Sequence, residues 1–242
     1  WVAEPDAGHR ELLRGRFGVH TGADNREIAA RSEVIVLAVK PQVLCSVAEA
    51  LADIVQTRRP LMISIAAGVR EPDIRRWLGG EAAIVRTMPN TPALIGKGIT
   101  GLYARAAVTA ADRDWAGKIM GTTGALLWLT AEGQLDAVTA LSGSGPAYMF
   151  YFMEAMTEAG VQMGLPREQA HQLAVATFIG AGELARASTE PPSVLRERVT
   201  SKGGTTYAAI SSMEHNHVKE LFAQALFAAH RRAGELGREF GN

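Results

Sequence analysis

The residues best suited to do chemistry lie in one short stretch, Thr200-Ser201-Lys202-Gly203-Gly204-Thr205-Thr206. Paired glycines let a chain adopt positive φ and bring its backbone N–H groups close to a ligand. The stretch runs into a helical pattern over Tyr207 to Met213. Such a helix start offers unpaired donors and a partial positive charge, which suits a small anion such as a carboxylate. Ser201, Thr205 and Thr206 add hydroxyls. On this stretch alone the competing reading is a connecting turn with Thr206 as an ordinary N-cap. A second helix break, Ser142-Gly143-Ser144-Gly145-Pro146, precedes an apolar run. His215 and His217 do not make a metal pair, because residues two apart on a helix do not share a face and no carboxylate–His cluster surrounds them.

The elements that must position these residues fall into two kinds. Through about residue 130, strand patterns alternate with helical ones. Glu33 to Val39 and Leu61 to Ile65 read as strands buried on both faces, and Ala82 to Arg86, Ile99 to Tyr103 and Ala125 to Leu129 as further strands. A shorter strand pattern stands at Trp1 to Ala3, and Gly18 to His20 reads as a minor strand or a turn. The alternation predicts βαβ units and a mostly parallel sheet, with ligands at the carboxyl ends of the strands. The turns there, Glu4-Pro5, Ala38 to Pro41, Ala66 to Gly68 and Met88 to Pro92, are rich in Gly, Ala and Pro and leave room for a cofactor. After Glu132 only helices are predicted. Ala147 to Met163 is apolar almost all round and predicts burial in a core or a subunit interface. Gly180 and Gly182 predict the close approach of a neighbouring helix, and Ser193 a helix cap. The expected division is a dinucleotide-binding domain over 1–130 and a helical dimerisation and substrate-binding domain over 131–242.

Composition narrows the class. Lys plus Arg is 25 and Asp plus Glu is 25, so the formal net charge is zero, which argues against nucleic acid and against an anionic membrane surface. The single cysteine, Cys45, excludes an internal disulfide and fits a reducing cytoplasm. No signal peptide or membrane span is read in the sequence.

Five motifs in register, Ala38-Val39-Lys40-Pro41, Met88-Pro89-Asn90-Thr91-Pro92, Leu141 to Tyr148, Met163-Gly164-Leu165-Pro166-Arg167 and Thr200 to Thr206, give the chain a specific likeness. It resembles the Δ1-pyrroline-5-carboxylate reductases over essentially its whole length. That resemblance implies a Rossmann-like N-terminal domain, an all-α C-terminal domain that interlocks in a homodimer or a larger ring of dimers, and reduction of a cyclic imine to L-proline with NADPH or NADH. It also implies a first strand and a glycine-rich pyrophosphate turn that no residue of this chain supplies. By resemblance, Ser201 and the backbone of Thr205 and Thr206 bind the substrate carboxylate, and the Thr206 hydroxyl faces the ring nitrogen. Asn25, Ala38, Val39, Lys40, Pro41, Ile65 and Ala67 line the cofactor. Glu132 stands near the substrate or nicotinamide or is a solvated loop carboxylate. Asn90 caps a turn or faces the nicotinamide, and Lys40 binds phosphate or serves only through its backbone. Glu4 falls where an acidic residue would hold the ribose 2′-hydroxyl and repel a 2′-phosphate, which predicts that NADH serves at least as well as NADPH.

A β-hydroxyacid dehydrogenase shares the two-domain plan but needs a lysine beyond the domain junction. None occurs here between Lys118 and Lys202. The remaining alternative is a non-catalytic dinucleotide-binding regulator, which leaves Ser201 to Thr206 unexplained.

Overall fold

The computed structural model describes residues 1–241 and divides into two compact units. The first holds Trp1–Gly143 together with the chain from Ala229 on, and the second is Ser144–Ala228. The division therefore lies beyond the expected boundary at residue 130. The physical reason is that Glu132 and Asp136 bond back to Arg86 and Arg70 of the first unit.

In the first unit a parallel pair, β1 (Val2–Ala3) and β2 (Thr21–Gly22), stands apart from a five-stranded sheet. The sheet runs β3 (Val34–Leu37), β4 (Leu61–Ser64), β5 (Ala83–Met88), β6 (Gly98–Ala104), β7 (Gly124–Trp128) in spatial order. Of the two readings of Gly18 to His20, the strand is excluded, and the minor strand falls at Thr21–Gly22. Pairing is parallel except between β5 and β6. β4 is buried on both faces, as its sequence predicts. Met62 joins the layer of Leu44, Leu51 and Val55 from α3 (Pro41–Arg58), and Leu61 and Ile63 join the layer of Ala116 and Met120 from α5 (Ala110–Gly121). β3 stands at the edge of the five-stranded sheet, and there Val36 keeps 43% of its surface exposed.

Capping fixes the helices around the sheet. Asp6 accepts the His9 N–H at 2.7 Å to start α1 (Ala7–Phe17), and Asp24 accepts the Arg26 N–H at 2.8 Å to start α2 (Asn25–Ala29). Pro41 opens α3. After β4, α4 (Glu71–Trp77) follows, and after β7 come α6 (Gln134–Val138) and a π-helical turn, Thr139–Gly143.

The second unit is helical. It contains α7 (Gly145–Gln162), α8 (Arg167–Ala187), α9 (Pro192–Arg198), α10 (Thr205–His215) and the start of α11 (Val218–Phe240), whose later residues belong to the first unit. Gly160 lets α7 meet α8, because a Cβ there would lie 2.8 Å from that of Ala170. Within this chain no described atom lies within 4 Å of a Cβ placed on Gly180 or Gly182. Ser193 is no cap; Pro191 holds that place, and no side chain bonds the helix start. Within this chain α7 buries only Thr157 and Gly160, while Phe150 and Tyr151 are 59% and 69% exposed. The all-round burial predicted for α7 is absent from the single chain.

Candidate active site

Residues 200–206 form the expected loop. Gly203 has φ of 77°, a conformation natural to glycine. Gly204 is the N-cap of α10, and its own N–H reaches the Ser201 carbonyl at 3.0 Å. A Cβ on Gly204 would lie 2.9 Å from Ser201 Oγ, so the absence of a side chain keeps that hydroxyl against the helix start. The first backbone bond into the cap runs from the Ala208 N–H to the Gly204 carbonyl. The N–H groups of Thr205, Thr206 and Tyr207 are thus left without an acceptor among the described residues. Three donors beside one serine hydroxyl suit a small anion such as a carboxylate. Thr206 is the second helical residue and not the cap, which removes the competing reading of its hydroxyl.

The first unit brings several of the predicted cofactor residues to the carboxyl ends of neighbouring strands. Leu37, Ser64 and Arg86 are register partners across β3, β4 and β5, so the carboxyl ends of these strands coincide. Ala38–Pro41, Ile65–Gly68 and the end of β5 leading to Asn90 all leave from that edge. A gap of about 400 Å³ between the unpaired edges of β1 and β3 is lined mainly by apolar residues, Val2, Ile28, Val34, Val36, Leu37 and Leu51 among them, and also by Asn25, Ala38 and Val39. Asn25, Ala38 and Val39 are therefore together, whereas Glu4, Lys40, Pro41, Ile65, Ala67 and Asn90 lie outside its walls. The small side chains of Ala38, Ala66 and Ala67 leave room for a dinucleotide along this edge. No described turn has the glycine spacing that cradles a pyrophosphate, and the turn after β1 is Glu4-Pro5-Asp6.

Several predicted residues have protein partners of their own. Asn90 accepts the Ile99 N–H at 2.9 Å and so ties its loop to β6. Lys40 is the exposed residue before Pro41 of α3. Glu4 accepts the Asp6 N–H at 2.9 Å, and Arg10 Nη1 folds back onto the Glu4 and Pro5 carbonyls at 2.7 Å each. An arginine does stand beside Glu4, reached through a turn of α1 rather than by adjacency in sequence.

Glu132 is not a solvated loop carboxylate. Its Oε1 accepts Arg86 Nη1 and the Glu71 N–H, both at 2.6 Å. Arg86 is only 4% exposed, and burial pushes its pKa down while the Glu132 carboxylate opposes the shift. One turn along, Asp136 holds Arg70 at 2.5 Å. The sequence reading missed this network. Its one signal is Arg86 inside an otherwise apolar strand, where a buried guanidinium requires a carboxylate partner.

Comparison with known proteins divides the chain close to the expected boundary at residue 130. The family described as "pyrroline-5-carboxylate reductase dimerisation" matches residues 132–236, and that described as "NADP oxidoreductase coenzyme F420-dependent" matches residues 1–68. The chain is 46% identical over 240 residues to a pyrroline-5-carboxylate reductase of Pseudomonas aeruginosa, covering 99% of this chain and 88% of that protein. A solved pyrroline-5-carboxylate reductase from Coxiella burnetii superposes with TM-score 0.92 at 43% identity, over 97% of this chain and 87% of that one. A Plasmodium falciparum pyrroline carboxylate reductase solved with NADP bound gives 0.84 at 32% identity, over 92% and 84%.

Proposed function

The chain belongs to the pyrroline-5-carboxylate reductase family, and from that premise we propose how its own residues share the work. The reaction is reduction of the C=N bond of Δ1-pyrroline-5-carboxylate to L-proline with NAD(P)H, the last step of proline biosynthesis. The reduced nicotinamide supplies a hydride. The imine carbon gains it, the electron pair of the C=N bond moves to nitrogen, and nitrogen is protonated. Membership sets aside the hydroxyacid-dehydrogenase and regulator alternatives.

The observation that carries the substrate assignment is the set of free N–H groups at Thr205, Thr206 and Tyr207 beside Ser201 Oγ. These groups hold the substrate carboxylate. With the carboxylate fixed, the Thr206 hydroxyl meets the ring nitrogen and stabilises it as it becomes an amine. Asn25, Ala38, Val39, Lys40, Pro41, Ile65, Ala67 and Asn90 line the coenzyme edge and orient it. At the end of β1 the Glu4 carboxylate favours a free 2′-hydroxyl, while the Arg10 guanidinium favours a 2′-phosphate. Both coenzymes are therefore accepted. The exposed face of α7 is covered by a second copy, giving a homodimer, and rings of dimers are a further step of the same kind. Among the described residues no helix is long and apolar enough to cross a membrane. The free, half-buried Cys45 suits a reducing cytoplasm.

The test is oxidation of NADH and NADPH on adding pyrroline-5-carboxylate, with proline measured as product. Glu4→Gln should move the kcat/KM ratio toward NADPH and Arg10→Gln toward NADH. A wild-type chain that binds coenzyme yet forms no proline would overturn the reading.

A further inference from the structure

We infer that Glu132 is a positioning residue of the coenzyme edge, not a ligand of the substrate. The inference rests on reading the Ile65–Gly68 turn as part of that edge. Three segments meet at the Glu132 carboxylate. It accepts Arg86 Nη1 from β5 and the backbone N–H of Glu71 from the start of α4, each at 2.6 Å. Glu71 follows the Ile65–Gly68 turn by three residues, so this bond pins the exit of the turn. Asp136, four residues on in α6, grips Arg70 at 2.5 Å. The other side of the turn is packed as tightly: a Cβ on Gly68 would lie 3.2 Å from Leu236 Cβ, and one on Gly237 would lie 3.1 Å from the Gly68 carbonyl. Residues 65–71 are thus clamped between the Glu132–Asp136 turn and the end of α11.

Glu132 is also the only ion-pair partner of the buried Arg86 among the described residues. Removing the carboxylate leaves that guanidinium uncompensated and frees the Glu71 N–H. The turn then loses its anchor, and misplaced binding groups weaken the coenzyme rather than the substrate.

The experiment separates coenzyme affinity from substrate affinity. NADPH dissociation constants are measured by fluorescence titration without substrate, and KM for pyrroline-5-carboxylate at saturating coenzyme. Glu132→Ala should raise the coenzyme Kd about tenfold and leave the substrate KM within about twofold, the pattern of a supporting contact rather than a ligand. Glu132→Gln keeps an acceptor oxygen but not the charge that offsets Arg86, so its Kd should fall between those of wild type and the alanine variant. Should the alanine variant fail to fold, Glu132→Asp carries the test in the same direction. A rise in substrate KM with unchanged coenzyme Kd would make Glu132 a substrate ligand and overturn the inference, as would an unchanged Kd in every folded variant. Because coenzyme binding is read without turnover, a chain inactive on pyrroline-5-carboxylate would sink the proposed reaction and leave this inference standing or falling on its own measurement.

Discussion

Thr206 separates a hydroxyl's service to catalysis from its service to the helix. It sits at the second position of α10, and no hydrogen bond from its side chain supports the helix. Alanine is the better helix former there. Thr206→Ala should therefore leave the melting temperature nearly unchanged while lowering kcat, by about tenfold for each 1.4 kcal/mol of lost transition-state bonding. Thr206→Ser should keep much of the activity. Normal turnover in the alanine variant would remove the hydroxyl from the mechanism.

Glu71 gives a pH prediction at the same scale. Burial raises its pKa above the ordinary 4.5, against the pull of Arg75 and Arg105. A carboxyl whose folded pKa is raised adds stability below its unfolded pKa, and that contribution is lost as pH climbs through the folded pKa. Glu71→Gln should thus gain on wild type as pH rises from 4.5 toward neutrality. Urea midpoints across that range measure it. A gain for wild type instead would mean that the arginines outweigh burial.

Among the elements, the turn between β4 and α4 is the most constrained. Gly68 has φ of 82° and faces Leu236 and Phe240 at 3.2 and 3.3 Å from an added Cβ. Gly96 has φ of 68° but open space around it. Alanine at either position meets the left-handed backbone penalty of about 1–2 kcal/mol. Only Gly68→Ala must also displace packed side chains, so it should unfold at lower denaturant than Gly96→Ala. Equal losses would show that backbone conformation, not contact with α11, sets the need for glycine.

The whole molecule is incomplete as a single chain. A helix carrying Phe150 and Tyr151 at 59% and 69% exposure leaves an apolar face too large to stay in water. Light scattering at micromolar concentration should give the mass of two chains or a multiple of it. Replacing both Phe150 and Tyr151 by glutamate should give monomers that unfold earlier. A wild-type monomer would refute the assembly.

Locally encoded features were legible in the sequence. The loop before α10 could be read because two glycines, the hydroxyls and a helix start are neighbours along the chain. β4 could be read because burial on both faces demands a continuous apolar run. Two matters required the tertiary structure. Apolar residues on α7 look alike whether they enter a core or await a partner, since hydrophobicity does not name what covers it. Glu132 meets Glu71 and Arg86 across 61 and 46 residues. No periodicity records such a pairing; folding alone brought a lone buried arginine and a loop carboxylate together.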